Sequence, residues 1–148
     1  MLSSVGDQSA LYGALDLLIT LAAALIVSKD GKLLLVRKRN TPFFMQAGGK
    51  IEPSEAPINA LIRELKEELE LIITPAQALY LGRFYAPAAN EPGWTVEAEL
   101  FMLHVDKDVA PAAEIAEILW VDPSGPIDVP LAPLTNDIVI PLYLRGYA

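Results

Sequence analysis

The chain contains no cysteine, so it can form no disulfide, offers no thiolate nucleophile and has no Cys-based zinc site. Histidine is nearly missing as well: His104 is the only one, and a lone histidine in an apolar strand is a structural side chain more often than a catalytic one. Basic residues are scarce, 11 Lys and Arg against 19 Asp and Glu, and the resulting charge of −8 argues against a nucleic acid polymer as partner. No Lys or Arg precedes Lys29, which removes the basic n-region of a secretory signal. The apolar run from Leu17 to Val27, preceded by Asp16, is too short to cross a bilayer as a helix. These absences point to a cytoplasmic protein with no membrane partner. Internal repeats and low-complexity tracts are missing too.

What is present is enough apolar material for a core. Hydrophobic residues make up 53% of 148, which suits one folded domain and excludes disorder over most of the chain. Residues 1–15 read as a leader, loose or packed on a partner such as a second copy of the chain, and 16–148 as a single domain. Leu18 to Ser28 reads as a buried strand. Lys29-Asp30-Gly31 reads as a tight hairpin into a second strand, Lys32 to Arg39, which Asn40-Thr41-Pro42 breaks. Phe43 to Gln46 forms a short strand that feeds a glycine loop at Gly48-Gly49. Later strands are expected over Leu79 to Tyr85, Trp94 to Val105 and Glu114 to Val121. A final helix is expected over Asn136 to Arg145, capped by Thr135 and bent or shortened by Pro141.

The most informative stretch runs from Gly49 to Leu71. On a helix, Glu64, Glu67 and Glu68 stand at i, i+3 and i+4 and share one face. Carboxylates that close repel one another unless a cation sits among them, and hard divalent cations such as Mg²⁺ prefer carboxylate oxygens. The opposite face carries Ile58, Leu61, Ile62, Leu65 and Leu69 in the spacing of a helix pressed onto a core. Pro57 suits the first helical turn, where its missing N–H is not needed. Gly48 and Gly49 let the backbone approach a ligand closely, with Lys50 beside them.

Read as one string, Gly49, Glu55, Arg63, Glu64, Leu65, Glu67, Glu68 and Leu71 resemble the Nudix box, G-x5-E-x7-R-E-U-x-E-E-x-G-U, where U is a bulky aliphatic residue. Glu70 replaces the last glycine of that pattern, and Ala47 stands where proline often precedes the double glycine. The resemblance implies an α/β/α sandwich with a mixed β-sheet and hydrolysis of a nucleoside diphosphate linked to another group. It assigns the metal, Mg²⁺ or alternatively Mn²⁺, to Glu64, Glu67, Glu68 and the Gly48 carbonyl. Glu64 is a reasonable base for the attacking water, with Glu114 its rival. Glu114 stands six residues before Trp120, where many family members carry a further acidic residue. Arg63 and Glu55 are expected to pair and brace the loop against the helix.

Eight of the 11 Lys and Arg lie between Lys29 and Lys66, which would suit a polyphosphate near the motif. Gly49, Lys50, Arg37 and Lys38 are the candidate phosphate contacts. Asn136, placed like the base-binding asparagine of nucleotide-cleaning relatives, is the candidate base contact. Glu97 and Glu99 lie on one side of a strand and are expected to face solvent. The implied substrate is a small nucleotide, first an ordinary or oxidised nucleoside triphosphate, then ADP-ribose or a nucleotide sugar. A nucleotide-binding regulatory module without catalysis is the alternative class.

Overall fold

The computed structural model describes residues 17–147, without the side chain of Tyr147, so the leader expected over 1–15 lies outside the described residues. Strand β1 (Leu18–Ser28) has the bounds read from the sequence, and Ala22 to Val27 are all buried. It is apolar without alternation because both its faces are covered, as in the central strand of a layered fold. Gly31, at φ 81°, closes the hairpin, with its N–H donating to the Ser28 carbonyl at 3.0 Å. The chain then enters β2 (Leu33–Lys38), β3 (Phe44–Met45) and β4 (Ala47–Lys50). Helix α1 (Pro57–Leu69) and a short 3₁₀ turn, Pro75–Gln77, lead to β5 (Leu79–Pro87), β6 (Thr95–Val105) and β7 (Ile115–Val121).

The sheet has seven strands and is mixed. β1 and β6 run parallel over their full lengths, from Leu18↔Thr95 to Ser28↔Val105, and β5 lies antiparallel outside β6. On its other edge β1 is shared: β4 pairs antiparallel with its first half (Leu21↔Lys50, Ala24↔Ala47), while β2 meets it at Val27↔Leu33. β2 carries β3 and β7 onward. One strand edge pairs with only one neighbour at a time, so the sheet divides along β1 and β4 is held beside α1.

Each face of the sheet has its own core. Ala22, Ala24, Ile26, Leu34 and Val36 pack under Leu61, Leu65 and Leu69 of α1. Ala23, Leu25, Val27, Leu33 and Leu35 pack under Leu134, Val139 and Leu142 of the C-terminal helix. Each fully buried leucine contributes about 1.5–3 kcal/mol relative to exposure. The architecture is the expected α/β/α sandwich.

Three local expectations are corrected. Gly48-Gly49 is not a loop but part of β4, paired with Ala23 and Ala22. The C-terminal helix starts at Leu134, so Thr135 is a buried residue inside it rather than a cap. Of the bend or shortening expected at Pro141, no shortening is found: the helix continues past it. A wide π-type stretch, Leu134–Val139, precedes a short α-helical turn, Ile140–Leu142, and the chain continues through Tyr143–Tyr147 with a break from helical geometry at Gly146; wide turns relax the backbone bonding around a residue without an N–H.

Candidate active site

Helix α1 begins with Pro57 at its first positions and buries Leu61, Leu65 and Leu69 beneath it. That orientation turns Glu64 and Glu68 toward β4. Glu70 ends the helix in the left-handed conformation, φ 53° and ψ 31°, the region a glycine would occupy without a Cβ penalty. Its N–H donates to the Lys66 carbonyl at 3.0 Å, and the Leu71 N–H to Leu65 at 3.2 Å. The departure from the glycine pattern therefore keeps the same helix ending under mild strain.

The two glycines do separate work. Gly48 sits at φ 146°, and a Cβ there would overlap the Ala22 carbonyl oxygen, so only glycine lets β4 pair so closely with β1. A Cβ on Gly49 would overlap the Glu64 carboxylate. Glu64 is thus seated directly over Gly49. Glu68 is 2% exposed, and its Oε1 accepts the Gly48 N–H at 3.0 Å. Burial pushes the Glu68 carboxyl up to about 7; the Gly48 N–H and the Lys38 charge pull it down, while Glu64 and Glu114 push it further up.

Arg63 and Glu55 form the expected brace. Arg63 Nε and Nη2 donate to the two Glu55 oxygens at 3.0 and 2.9 Å, and Nη1 donates to Glu64 Oε2 at 2.7 Å. Nη2 also reaches the Lys50 carbonyl at 3.1 Å. Glu55 in turn accepts the Glu52 N–H at 2.9 Å, so one guanidinium ties the connecting loop, β4 and the helix together. The Arg63 hydrogen bonds, followed by the Glu52 N–H, hold the Glu55 carboxyl down at about 2. The same Glu55 bond raises the Arg63 guanidinium above its ordinary value.

Glu114 is exposed in the loop ahead of β7, and that loop is tied to α1 because the Ala112 N–H donates to the Glu68 carbonyl at 2.8 Å. Its charge reaches Glu68. Glu67 is exposed on the same helix. Among the described residues no three His, Asp or Glu side chains converge closely enough to hold a cation as they stand, since Glu64 is turned to Arg63 and Glu68 to Gly48. The donor chemistry nevertheless fits a hard divalent cation: carboxylate oxygens beside a backbone carbonyl, one carboxylate buried and accepting the Gly48 N–H.

A cavity beside β4 is lined by Lys38, Gly48, Gly49 and Lys50 together with apolar side chains such as Leu21 and Leu134. Arg37 and Asn136 are not brought there. The Arg37 guanidinium instead holds Glu117 at 2.9 Å and the Thr41 carbonyl at 2.9 Å. It extends from β2 beside Lys38, and adjacent strand residues point to opposite faces. Asn136 is exposed and donates to Asp137 at 2.8 Å. The solvent-facing reading of Glu99 is corrected too: it is 4% exposed and accepts from Tyr80 Oη at 2.6 Å and Arg83 Nε at 2.8 Å. Gln46, expected only as part of a strand, lies between β3 and β4 and also lines the cavity.

Comparisons with known proteins bear on this arrangement. The NUDIX domain family model matches residues 18–138. The chain is 32% identical over 116 residues to the CTP pyrophosphohydrolase of Escherichia coli, covering 74% of this chain and 81% of that one. It is 36% identical over 83 residues to the ADP-ribose pyrophosphatase of Methanocaldococcus jannaschii, covering 54% and 47%. It also shares the fold of a bifunctional NMN adenylyltransferase/ADP ribose pyrophosphatase from Francisella tularensis, complexed with AMP and a Mn ion. That likeness has a TM-score of 0.68 at 18% identity and covers 94% of this chain and 46% of that one. With the motif braced on α1 and the domain matched from its first described strand into the C-terminal helix, the chain belongs to the NUDIX domain family and is a Nudix hydrolase.

Proposed function

We propose that the chain hydrolyses a diphosphate bond in a nucleoside diphosphate linked to a further group, with Mg²⁺ as cofactor and Mn²⁺ as a substitute. A nucleoside triphosphate, ordinary or oxidised, is the first choice of substrate. The observation that carries the reading is the seating of Glu64 and Glu68 against the glycine pair of β4, beside a cavity lined by Lys38 and Lys50.

Glu64, Glu67 and Glu68, with the Gly48 carbonyl, would hold the metal. When bound, such a cation neutralises the diphosphate oxygens, activates a water and stabilises the leaving phosphate. Glu64 or Glu114 takes the proton of the attacking water as the new P–O bond forms and the bridging P–O bond breaks. Arg63, pinned by Glu55, positions Glu64 and does not touch the reacting atoms. Lys38 and Lys50 meet phosphate oxygens at the cavity. Arg37 is engaged with Glu117, and Asn136 with Asp137, which leaves both as weaker candidates for substrate contact.

The relatives are named for CTP and for ADP-ribose. The triphosphate reading comes first because the chain spans 81% of the former and 47% of the latter. ADP-ribose or a nucleotide sugar is the second reading. Retention of all three motif carboxylates counts against a binding module without catalysis. Release of phosphate or pyrophosphate with Mg²⁺ from a panel of nucleoside triphosphates, ADP-ribose and dinucleotide polyphosphates separates these readings. Tight binding without turnover across that panel would make the binding module correct. We place the activity in the cytoplasm; among the described residues no helix is long and apolar enough to cross a membrane.

A further inference from the structure

Gln46 is 6% exposed, and its Nε2 is the one buried side-chain nitrogen or oxygen among the described residues with no hydrogen-bond partner. Its other end is fixed. The hydroxyl of Thr135, itself fully buried in the C-terminal helix, donates to Gln46 Oε1 at 2.6 Å across 89 residues of sequence. That bond sets the orientation of the amide and leaves a donor over, which is costly in a buried position. Gln46 stands two residues before Gly48 and lines the cavity that Lys38 and Lys50 share with Leu21, Val96 and Leu134.

We propose that Gln46 reads the base of the substrate, donating from Nε2 to a carbonyl oxygen or an unprotonated ring nitrogen, with Thr135 as its positioning residue. This rests on the nucleotide-hydrolase reading above. Lysines suit the polyphosphate and apolar side chains suit the faces of a base; of the two amides lining the cavity, Gln46 and Asn90, Gln46 is the buried one with an unpaired donor to supply discrimination. Nε2 is covered in the present arrangement, and seating a base in the cavity uncovers it while the Thr135 bond holds Oε1 in place. A pocket that hydrogen-bonds a substrate group rejects analogues lacking that group far better than an apolar pocket does.

The test compares kcat/KM of wild type, Gln46→Met, Thr135→Val and Thr135→Ser with Mg²⁺ on nucleoside triphosphates of different bases and on an abasic ribose 5′-triphosphate. Thermal melting checks that each variant is folded. Gln46→Met conserves volume and should lower kcat/KM for the preferred nucleotide by on the order of 10- to 100-fold, with a much smaller loss on the abasic compound, so that discrimination between bases collapses. Thr135→Val should shift discrimination the same way by a smaller factor, and Thr135→Ser should restore it. Equal losses on every compound, or discrimination unchanged in Gln46→Met, would overturn the assignment. If Gln46→Met does not fold, unchanged discrimination in Thr135→Val overturns it instead. A wild type that turns over none of these compounds rejects the triphosphate reading itself, a result distinct from a wild type that discriminates and a variant that discriminates equally well.

Discussion

Glu55 and Glu68 are the same residue type thirteen positions apart, and the fold puts them to opposite uses. Glu55 has a bidentate guanidinium partner and a backbone N–H, and its carboxyl is held at about 2. Glu68 is buried with one backbone N–H on Oε1 and other carboxylates nearby, and its carboxyl is raised to about 7. A charge that is fully compensated braces a structure. A charge that is left short of partners is costly in the free protein and becomes useful once a cation is supplied.

The sharpest way to break this contrast is to neutralise the carboxylates proposed to hold the metal. Glu68→Gln or Glu67→Gln should cut Mg²⁺-dependent turnover by on the order of 100-fold or more with the fold intact, as read by steady-state kinetics and circular dichroism. Full activity in Glu67→Gln would remove it from the metal set.

Stability against pH sharpens the comparison further. The folded pKa of Glu68 lies above its ordinary 4.5, so the native state holds its proton more tightly than the unfolded state does. Its destabilisation is absent below about 4.5, grows as pH rises and is complete above about 7. At neutral pH it is on the order of 3 kcal/mol for the metal-free protein. Mg²⁺ should therefore raise Tm at pH 7.5 much more than at pH 5, and Glu68→Gln should abolish that difference. Glu55 has the reverse sign. Its stabilisation is present above about 4.5 and is lost as pH falls toward about 2, so Glu55→Gln should flatten the acid limb of the melting profile.

Removing the brace should cost less than removing a carboxylate proposed to hold the metal. Arg63→Ala frees Glu64 and Glu55 together, and kcat/KM should fall by roughly 10- to 100-fold, the range for residues that orient metal ligands. Arg63→Lys keeps the charge but loses the fork, and should recover only part of the loss. The smallest effect is expected at Glu70. Glu70→Gly relieves the left-handed strain at φ 53° and should raise stability by about 0.5–1 kcal/mol without changing kcat, as measured by urea unfolding.

Local pattern made α1 legible in advance. Its apolar stripe, the proline at its start and the carboxylates on one face are all set within a few turns of one helix. β1 was legible too, because a central strand covered on both faces is a continuous apolar run. The misreadings share a different cause. Arg37, a candidate phosphate contact, is engaged by Glu117 from 80 residues away, which short-range pattern does not show. Glu99 reads as a surface residue because the partners that bury it, Tyr80 and Arg83, come from the neighbouring strand. The glycine pair read as a loop because its partner strand, β1, lies more than twenty residues earlier.

By itself, then, the sequence determined the braced motif, the amphipathic helix and the reaction class that the Nudix pattern implies, since these depend on residue types at short, fixed spacings. Tertiary structure alone decided which of those residues remain free to act. Burial raises Glu68, Glu117 occupies Arg37, and Thr135 fixes Gln46 at the cavity wall. The physical reason is that desolvation and hydrogen-bond partnership depend on what the folded chain brings alongside each group, and those neighbours come from distant parts of the sequence.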